Sequence, residues 1–264
     1  MSAARSKGLL SVSRAPLRAA ALAAFLSLPV LPQAAAAMDE PQKSELRGEI
    51  RAYLLEHPEV LLEAMDALEA KRAAEEARNQ SAAIASLAGE LTATPPGTAI
   101  GNPEGDVTLV EFFDYNCGYC KHALTDMEAL VAADPKLRVV LKEIPVLGEQ
   151  SVAASRVSLA FRHLAPQRYG EFHEKLLGMR GVADEDSAIG VAEGLGVAEA
   201  DLRGAMGSPD VQKAIDENNR LSALLKVNGT PSYVIGDEVV SGAVGREALA
   251  AKIQNMRSCA KASC

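Results

Sequence analysis

Two cysteines three positions apart, Cys117 and Cys120, are the residues of this sequence best suited to chemistry. They follow an apolar run rich in β-branched and aromatic residues, 107–113, and precede a segment with apolar residues at helical spacing, 123–131. This pattern predicts a strand, a short loop and a helix that begins at Cys117. The unpaired N–H groups and the dipole of a helix N-terminus stabilise a thiolate, which is the nucleophile in disulfide exchange. Cys120 would lie one turn further on, within reach of a mixed disulfide at Cys117.

A metal site and a structural disulfide are the alternative interpretations of this cysteine pair. Zinc usually takes four protein ligands, and the other two cysteines, Cys259 and Cys264, lie at the far C-terminus without the same spacing. A disulfide between residues only three apart would close a small ring and constrain little of the chain. We therefore favour redox chemistry at this pair, with no metal and no cofactor.

The sequence resembles the DsbA-like thioredoxin-fold family of bacterial thiol–disulfide oxidoreductases. The resemblance covers about residues 100–256 and rests on three motifs, Glu111-Phe112-Phe113, Cys117-Gly118-Tyr119-Cys120 and Gly229-Thr230-Pro231. It implies an α/β thioredoxin fold with a helical insertion at about residues 150–220. It also implies that the bond before Pro231 is cis and packs beside the cysteines, which leaves the Thr230 backbone free to pair with an extended substrate peptide. An ordinary turn is the alternative interpretation of Gly-Thr-Pro.

The residues between the cysteines and before the proline indicate which reaction the resemblance implies. Oxidases of the DsbA type carry Pro-His and Val at these positions, whereas Gly118, Tyr119 and Thr230 resemble the disulfide isomerase DsbC. Such residues change the stability of the thiolate and therefore the redox potential. The departure from the oxidase pattern favours an enzyme that rearranges disulfides, with a DsbA-type oxidase as the alternative.

Glu111, six residues before Cys117, matches an acidic residue that this family places beneath the active site. On a buried strand its pKa would be raised, and the carboxylate could accept the proton of Cys120. A half-exposed strand carboxylate without a catalytic role is the alternative. The histidines on predicted helices, His122, His163 and His173, are assigned no chemistry.

Residues 1–37 are predicted to be a cleaved secretory signal. Four basic residues and no acidic ones accompany an apolar core at 19–28, and small residues suited to cleavage lie at 34–37. A membrane anchor is the alternative, but the apolar run is short and ends at Pro29. We therefore expect an exported, periplasmic protein. Removal of the segment leaves 23 basic and 35 acidic residues, a net charge of −12, which gives no support for nucleic-acid binding.

Residues 38–91 are predicted to be a helical oligomerisation stalk. Leu46, Ile50, Tyr53 and Leu54 follow helical spacing, Ser44 is suited to cap the helix, and Pro58 interrupts it. The segment resembles the N-terminal extension of the ScsC (suppressor of copper sensitivity) branch, which implies a homotrimer formed through residues 39–91. A helix pair packed on its own catalytic domain and a loosely ordered spacer remain alternatives, because the heptad pattern is not sustained.

The remaining boundaries follow from composition and from the resemblance. Residues 92–99 are a predicted linker, residues 100–257 the thioredoxin domain, and residues 258–264 a polar tail that contains Cys259 and Cys264. A disulfide within the tail is favoured, since an exported protein with an even number of cysteines usually pairs them. Intermolecular pairing and a copper-binding thiol pair are the alternatives.

The resemblance implies a periplasmic protein disulfide isomerase and reductase acting on unfolded or misoxidised exported proteins. Its dithiol would be kept reduced by a membrane electron-transfer partner of the DsbD or ScsB type, and a link to copper tolerance is implied by the ScsC branch. A periplasmic copper-sequestering protein is the alternative of another class.

Overall fold

The computed structural model describes residues 38–264, so the predicted signal segment lies outside the described residues. The chain divides into two compact units, one that ends at Leu61 and one that spans Leu62–Cys264. Each is described by itself. No helix between residues 38 and 264 combines the length and apolarity that a membrane crossing requires.

The first unit contains helix α1, Glu40–Glu56. The helix begins four residues before the predicted cap at Ser44, because Asp39 forms a reciprocal capping box with Gln42. Pro41 occupies the first turn, where a missing N–H costs nothing. No residue of α1 is buried, and its apolar residues are therefore available to a partner.

The second unit is built on a five-stranded sheet with the order β1-β3-β2-β4-β5. Its strands are β1 Ile100–Gly101, β2 Val107–Phe113, β3 Leu137–Glu143, β4 Ser232–Ile235 and β5 Glu238–Ser241. Its helices are α2 Glu59–Thr92, which begins within the first unit, α3 Gly118–Ala133, α4 Glu149–Leu164, α5 Tyr169–Leu177, α6 Glu185–Gly194, α7 Glu199–Met206, α8 Pro209–Leu224 and α9 Arg246–Cys259, with a short 3-10 turn at Pro166–Arg168.

Strand β2 lies at the centre of this sheet and carries the residues that lead to Cys117. It pairs with β3 in parallel and with β4 in antiparallel orientation. The connection between β3 and β4 consists of helices α4 to α8, which confirms the predicted thioredoxin fold with a helical insertion. Because β2 and β3 are parallel, their carboxyl ends meet at one edge of the sheet, where Cys117 follows β2.

The alternating side chains of β2 divide the core into two layers. Leu109 and Phe113 belong to the larger apolar cluster, which includes residues of α3, α4, α5 and α9. Val110 and Phe112 belong to the second cluster on the other face, where Ile84 and Leu91 of α2 contribute to the packing. The final part of α2 is therefore a structural layer of the second unit.

Two cations of β3 hold the carboxyl end of α2 in place. The ammonium of Lys142 donates to the Glu90 and Ala93 carbonyls, each at 3.0 Å, and the Arg138 guanidinium donates to the Thr92 carbonyl at 2.9 Å. Cations at this position satisfy unpaired carbonyls and oppose the helix dipole. Burial, together with the charge of Arg162, lowers the pKa of Lys142 to about 8.

The C-terminal tail forms a closed loop on the surface of the sheet's last hairpin. Cys259 and Cys264 are joined by a disulfide within the chain. Ala262, between them, is fully buried, and its N–H donates to the Asp237 carboxylate at 3.0 Å. This pairing confirms the favoured interpretation of the tail, so neither intermolecular pairing nor a free thiol pair describes these cysteines.

The packing of α2 predicts where the N-terminal segment can be removed. A deletion of residues 38–91 takes away Ile84 and Leu91, and each lost core side chain costs about 2–5 kcal/mol. A deletion of residues 38–75 retains both. We expect the longer deletion to unfold at clearly lower urea concentration than the shorter one, measured by circular dichroism. Coincident unfolding curves for the two truncated proteins would contradict this account of α2.

Candidate active site

Cys117 occupies the N-cap of α3, as the strand–loop–helix pattern predicts. The Cys117 N–H donates to the Asp114 carbonyl at 3.0 Å, which closes the turn between β2 and the helix. The Cys120 N–H points at Cys117 Sγ at 3.4 Å, so a sulfur anion here would accept a hydrogen bond from the first helical turn. Both cysteines are free thiols. Cys117 is 6% exposed whereas Cys120 is fully buried, so an incoming disulfide meets Cys117 first.

The loop before β4 approaches Cys117 from a distant part of the chain. The bond between Thr230 and Pro231 is cis, which confirms what the resemblance implies and excludes the ordinary turn. The Cys117 thiol donates to the Thr230 carbonyl at 3.0 Å. The Pro231 carbonyl in turn accepts from the Gly242 N–H at 2.8 Å, so the loop is tied to the end of the last hairpin. The predicted pairing of the Thr230 backbone with a substrate peptide stays a prediction.

Glu111 is a buried carboxyl group on the same face of β2 as Leu109 and Phe113. It is 2% exposed and lies opposite Tyr233 in the β2–β4 register, which excludes the half-exposed alternative. Burial raises the pKa of Glu111 to about 8, and a hydrogen bond from Tyr233 opposes part of this rise. A carboxyl group with this pKa can exchange a proton near neutral pH.

Cys120 has an environment that disfavours its ionised form. Burial is the main cause that raises the pKa of the Cys120 thiol well above its ordinary value, and the neighbouring Cys117 and the charge of Glu111 add to the rise. The two cysteines therefore differ in access and surroundings, in the sense expected for an attacking and a resolving thiol. The proton-accepting role of Glu111 toward Cys120 remains a prediction.

The two residues between the cysteines are both at the surface. Tyr119 is 70% exposed, and a Cβ added at Gly118 would meet no atom within 4 Å. Core packing therefore does not require Gly or Tyr at these positions. Their predicted influence on the redox potential would act through contacts with Cys117 and with a bound client.

Some residues that lie near the site were not identified from the sequence. Asp114 and Asn116, directly before Cys117, form a buried and half-buried polar junction with neighbouring loops. Their position immediately after a buried strand was the available signal. His173 is also buried, with its ring edge-on to Phe113 at 4.6 Å, and burial lowers its pKa to about 3.

No group of three or more His, Cys, Asp or Glu residues within the described range, 38–264, lies together in a way that could hold a metal ion. The chemistry that this edge of the sheet can perform with its own groups is that of a dithiol with a buried acid beside it.

The environment of Glu111 predicts a pH dependence of stability. In the unfolded chain its carboxyl group ionises near its ordinary pKa of 4.5, whereas the folded protein retains the proton until about pH 8. Buried His173 opposes this change below its ordinary pKa of 6.5, because it binds a proton only in the unfolded chain. Glu111 should therefore contribute a fall in the free energy of unfolding as pH rises from 5 to 8. Glu111→Gln should remove this fall, which amounts to at most about 1.4 kcal/mol per pH unit.

Urea unfolding of wild type and Glu111→Gln at several pH values measures this difference. Glu69→Gln changes an exposed carboxyl group on α2 and is the matched control, whose pH dependence should follow the wild type. Parallel curves for wild type and Glu111→Gln would show that Glu111 does not retain its proton in the folded protein.

Comparison with known families and structures agrees with this geometry. The family described as DSBA-like thioredoxin domain matches residues 108–254, which is more than half of the chain, and the family described as Copper resistance protein ScsC N-terminal domain matches residues 42–75. A curated relative, the Na(+)/H(+) antiporter NhaA 1 of Salinispora arenicola, is 27% identical over 160 residues, or 58% of this chain. The chain spans only 24% of that relative's length.

The chain aligns with nearly the whole length of several solved structures of similar proteins. A thioredoxin-like oxidoreductase from Silicibacter pomeroyi DSS-3 is 40% identical, with 65% of this chain and 98% of that chain covered and a TM-score of 0.60. Proteus mirabilis ScsC in a transitional conformation is 30% identical, with 84% and 98% covered and a TM-score of 0.61. A periplasmic thioredoxin-like protein from Salmonella enterica serovar Typhimurium is 32% identical, with 65% and 96% covered and a TM-score of 0.55. The chain therefore belongs to the DsbA-like thioredoxin family of thiol–disulfide oxidoreductases, in its ScsC branch.

Proposed function

We propose that this protein is a periplasmic disulfide isomerase with reductase activity toward misoxidised exported proteins. The observation that carries the proposal is the Cys117 thiol at the N-terminus of α3, 3.0 Å from the carbonyl of Thr230. A sulfur in this position can react with a client disulfide while the adjacent backbone pairs with the client chain.

The reaction begins when the Cys117 thiolate attacks one sulfur of a client disulfide. The bond between Cys117 and that sulfur forms, the client's own S–S bond breaks, and the second client sulfur leaves as a thiolate. In isomerisation, another client thiolate attacks the mixed disulfide and releases Cys117 as a thiolate. The client has then exchanged one disulfide for another without net oxidation or reduction.

In the reductive branch, Cys120 resolves the mixed disulfide. At neutral pH a fraction of the molecules has Glu111 ionised, because its pKa is about 8. In these molecules Cys120 transfers its proton to the Glu111 carboxylate and attacks Cys117, so a Cys117–Cys120 disulfide forms and the client sulfur leaves as a thiolate, which takes a proton from solvent. The client gains two electrons and the enzyme loses two. The burial of Cys120 and the pKa of Glu111, about 8, support these roles.

The oxidised enzyme then requires a dithiol donor. We propose a membrane protein of the DsbD or ScsB type, whose dithiol would be oxidised as the Cys117–Cys120 pair is reduced. Export through the segment 1–37 would place the enzyme in the periplasm. The signal-like composition of that segment and the resemblance to a periplasmic thioredoxin-like protein support this location.

The preference for isomerase over oxidase rests on Gly118, Tyr119 and Thr230. They occupy the positions that adjust the stability of the Cys117 thiolate, and the Thr230 carbonyl accepts a hydrogen bond from that very sulfur. A DsbA-type oxidase is the remaining alternative. A copper-sequestering protein is the alternative of another class, although residues 38–264 contain no group of three or more His, Cys, Asp or Glu residues placed to hold a metal ion. A contribution of the isomerase to copper tolerance would come through repair of misoxidised disulfides.

We further propose that the protein is a homotrimer assembled through its N-terminal helices. The supporting observation is a set of apolar side chains that are exposed in the chain by itself, Leu46, Ile50, Tyr53 and Leu55 on α1 and Leu61, Leu62, Met65 and Leu68 on α2. Burial of such a set between copies would stabilise the assembly. Several dithiols on one assembly would raise the local thiol concentration around a bound client.

Reactivation of scrambled ribonuclease in a glutathione buffer tests the isomerase. Wild type should restore activity, Cys117→Ser should fall to the buffer background, and Cys120→Ser should keep part of the isomerisation while losing the reduction of insulin disulfides. A Cys259→Ser/Cys264→Ser double variant is the matched control and should behave as wild type. A wild type that rapidly oxidises reduced ribonuclease but leaves scrambled ribonuclease inactive would favour the oxidase.

Light scattering tests the assembly. Replacement of Leu46, Ile50 and Tyr53 by serine should lower the molar mass from that of a trimer to that of a monomer, because three of the four apolar side chains exposed on α1 are removed. The polar residues of the same helix provide the control, since Arg47→Ser/Arg51→Ser should leave the trimer intact. A wild type of monomer mass would eliminate the proposed assembly.

A further inference from the structure

The Asp114 carboxylate is a buried acceptor of four hydrogen bonds beside the active site. It is 1% exposed and lies three residues before Cys117. Oδ1 accepts from the Asn116 N–H at 2.8 Å and from the Ser151 hydroxyl at 2.7 Å. Oδ2 accepts from the N–H groups of Val146 and Leu147 at 2.9 and 3.0 Å. A carboxylate can accept hydrogen bonds from all four donors, and it carries no donor group that would repel them.

The four donors belong to three separate segments of the chain. Asn116 belongs to the loop that leads from β2 to Cys117, Val146 and Leu147 to the loop after β3, and Ser151 to the first turn of α4. The carboxyl ends of β2 and β3 meet at this edge because the two strands are parallel. Asp114 therefore joins the loop that carries Cys117 to the start of the helical insertion.

Asn116 extends this junction to a fourth segment. Its Nδ2 donates to Ser151 Oγ at 3.0 Å, which closes a ring of hydrogen bonds with Asp114. The same amide group donates to the Ala183 carbonyl at 2.8 Å and accepts from the Ala183 N–H at 2.7 Å, in the loop between α5 and α6. Rigid attachment on several sides holds a reacting group closer to its productive geometry.

We propose that Asp114 is a positioning residue for disulfide exchange at Cys117, an inference that rests on the proposed function of Cys117 as the nucleophile. Asp114 acts through its neighbours and does not touch the reacting sulfur. Its carbonyl accepts from the Cys117 N–H at 3.0 Å, and its carboxylate fixes Asn116, the residue directly before Cys117. These contacts hold Sγ at 3.0 Å from the Thr230 carbonyl and 3.4 Å from the Cys120 N–H.

Asp114→Asn preserves the shape of the side chain but replaces one acceptor oxygen by an NH2 donor. An amide offers one acceptor oxygen, and its NH2 group would face either the Val146 and Leu147 N–H groups or the Asn116 N–H. One side of the junction must then separate. Ser151→Ala is a milder change that removes one of the four donors to Asp114 and one of the two acceptors of the Asn116 amide.

The experiment measures the rate of reaction of reduced full-length protein with glutathione disulfide from pH 5 to 9, together with urea unfolding. Asp114→Asn should slow the reaction about tenfold or more at every pH, and Ser151→Ala should slow it less. Asp134→Asn is the matched control, because Asp134 accepts hydrogen bonds from Arg257 and the Lys136 N–H at the other end of α3. Its rate should stay within about twofold of wild type, the range expected for a surface change.

Wild-type rates in both Asp114→Asn and Ser151→Ala would overturn the proposal. So would an equal slowing in Asp134→Asn at equal loss of stability, since the effect would then report general destabilisation. If Asp114→Asn does not fold, the rate of Ser151→Ala decides, and a wild-type value overturns the inference. The assay uses thiol exchange with a small disulfide, so failure of the wild type to reactivate scrambled ribonuclease would contradict the isomerase alone.

Discussion

The hydrogen bond from the Cys117 thiol to the Thr230 carbonyl joins two parts of the chain that lie 113 residues apart. It requires that α3 begin directly after the central strand and that the loop before β4 reach the same edge of the sheet. The pairing of β2 with β3 and β4 provides both conditions. The helical insertion between β3 and β4 must therefore return the chain to this edge, and this requirement limits how helices α4 to α8 can pack.

Two carboxyl groups close to this contact have opposite environments. Asp114 accepts hydrogen bonds from four donors, and a buried side chain held by four hydrogen bonds acts as a rigid junction. Glu111 faces the core with Tyr233 opposite it, and burial raises its pKa to about 8. A group that changes its charge near neutral pH suits proton transfer, whereas one surrounded by donors suits positioning. The difference follows from the number of hydrogen-bond donors that surround each carboxyl group.

The long helix α2 has a different environment at its two ends. Its first part exposes apolar side chains, whereas Ile84 and Leu91 are buried on the sheet, and the cations of Lys142 and Arg138 hold its last carbonyls. Its last turns are consequently stabilised by the same β3 that pairs with the cysteine-bearing strand. The predicted stalk, residues 38–91, therefore includes turns of α2 that also pack on the sheet.

Local sequence determined the elements whose residues are neighbours in the chain. The strand before Cys117, the helix after it and the hairpin 232–241 follow from periodicity and turn residues, because hydrogen bonds and steric preferences act over a few positions. Family motifs added the cis bond before Pro231. Only the tertiary structure decided that Glu111 is buried, that α2 covers the sheet and that four donors meet at Asp114. These features depend on contacts between segments that are distant in sequence. The packing of complementary faces fixes where those segments lie, and such contacts leave no periodic signal in any one segment.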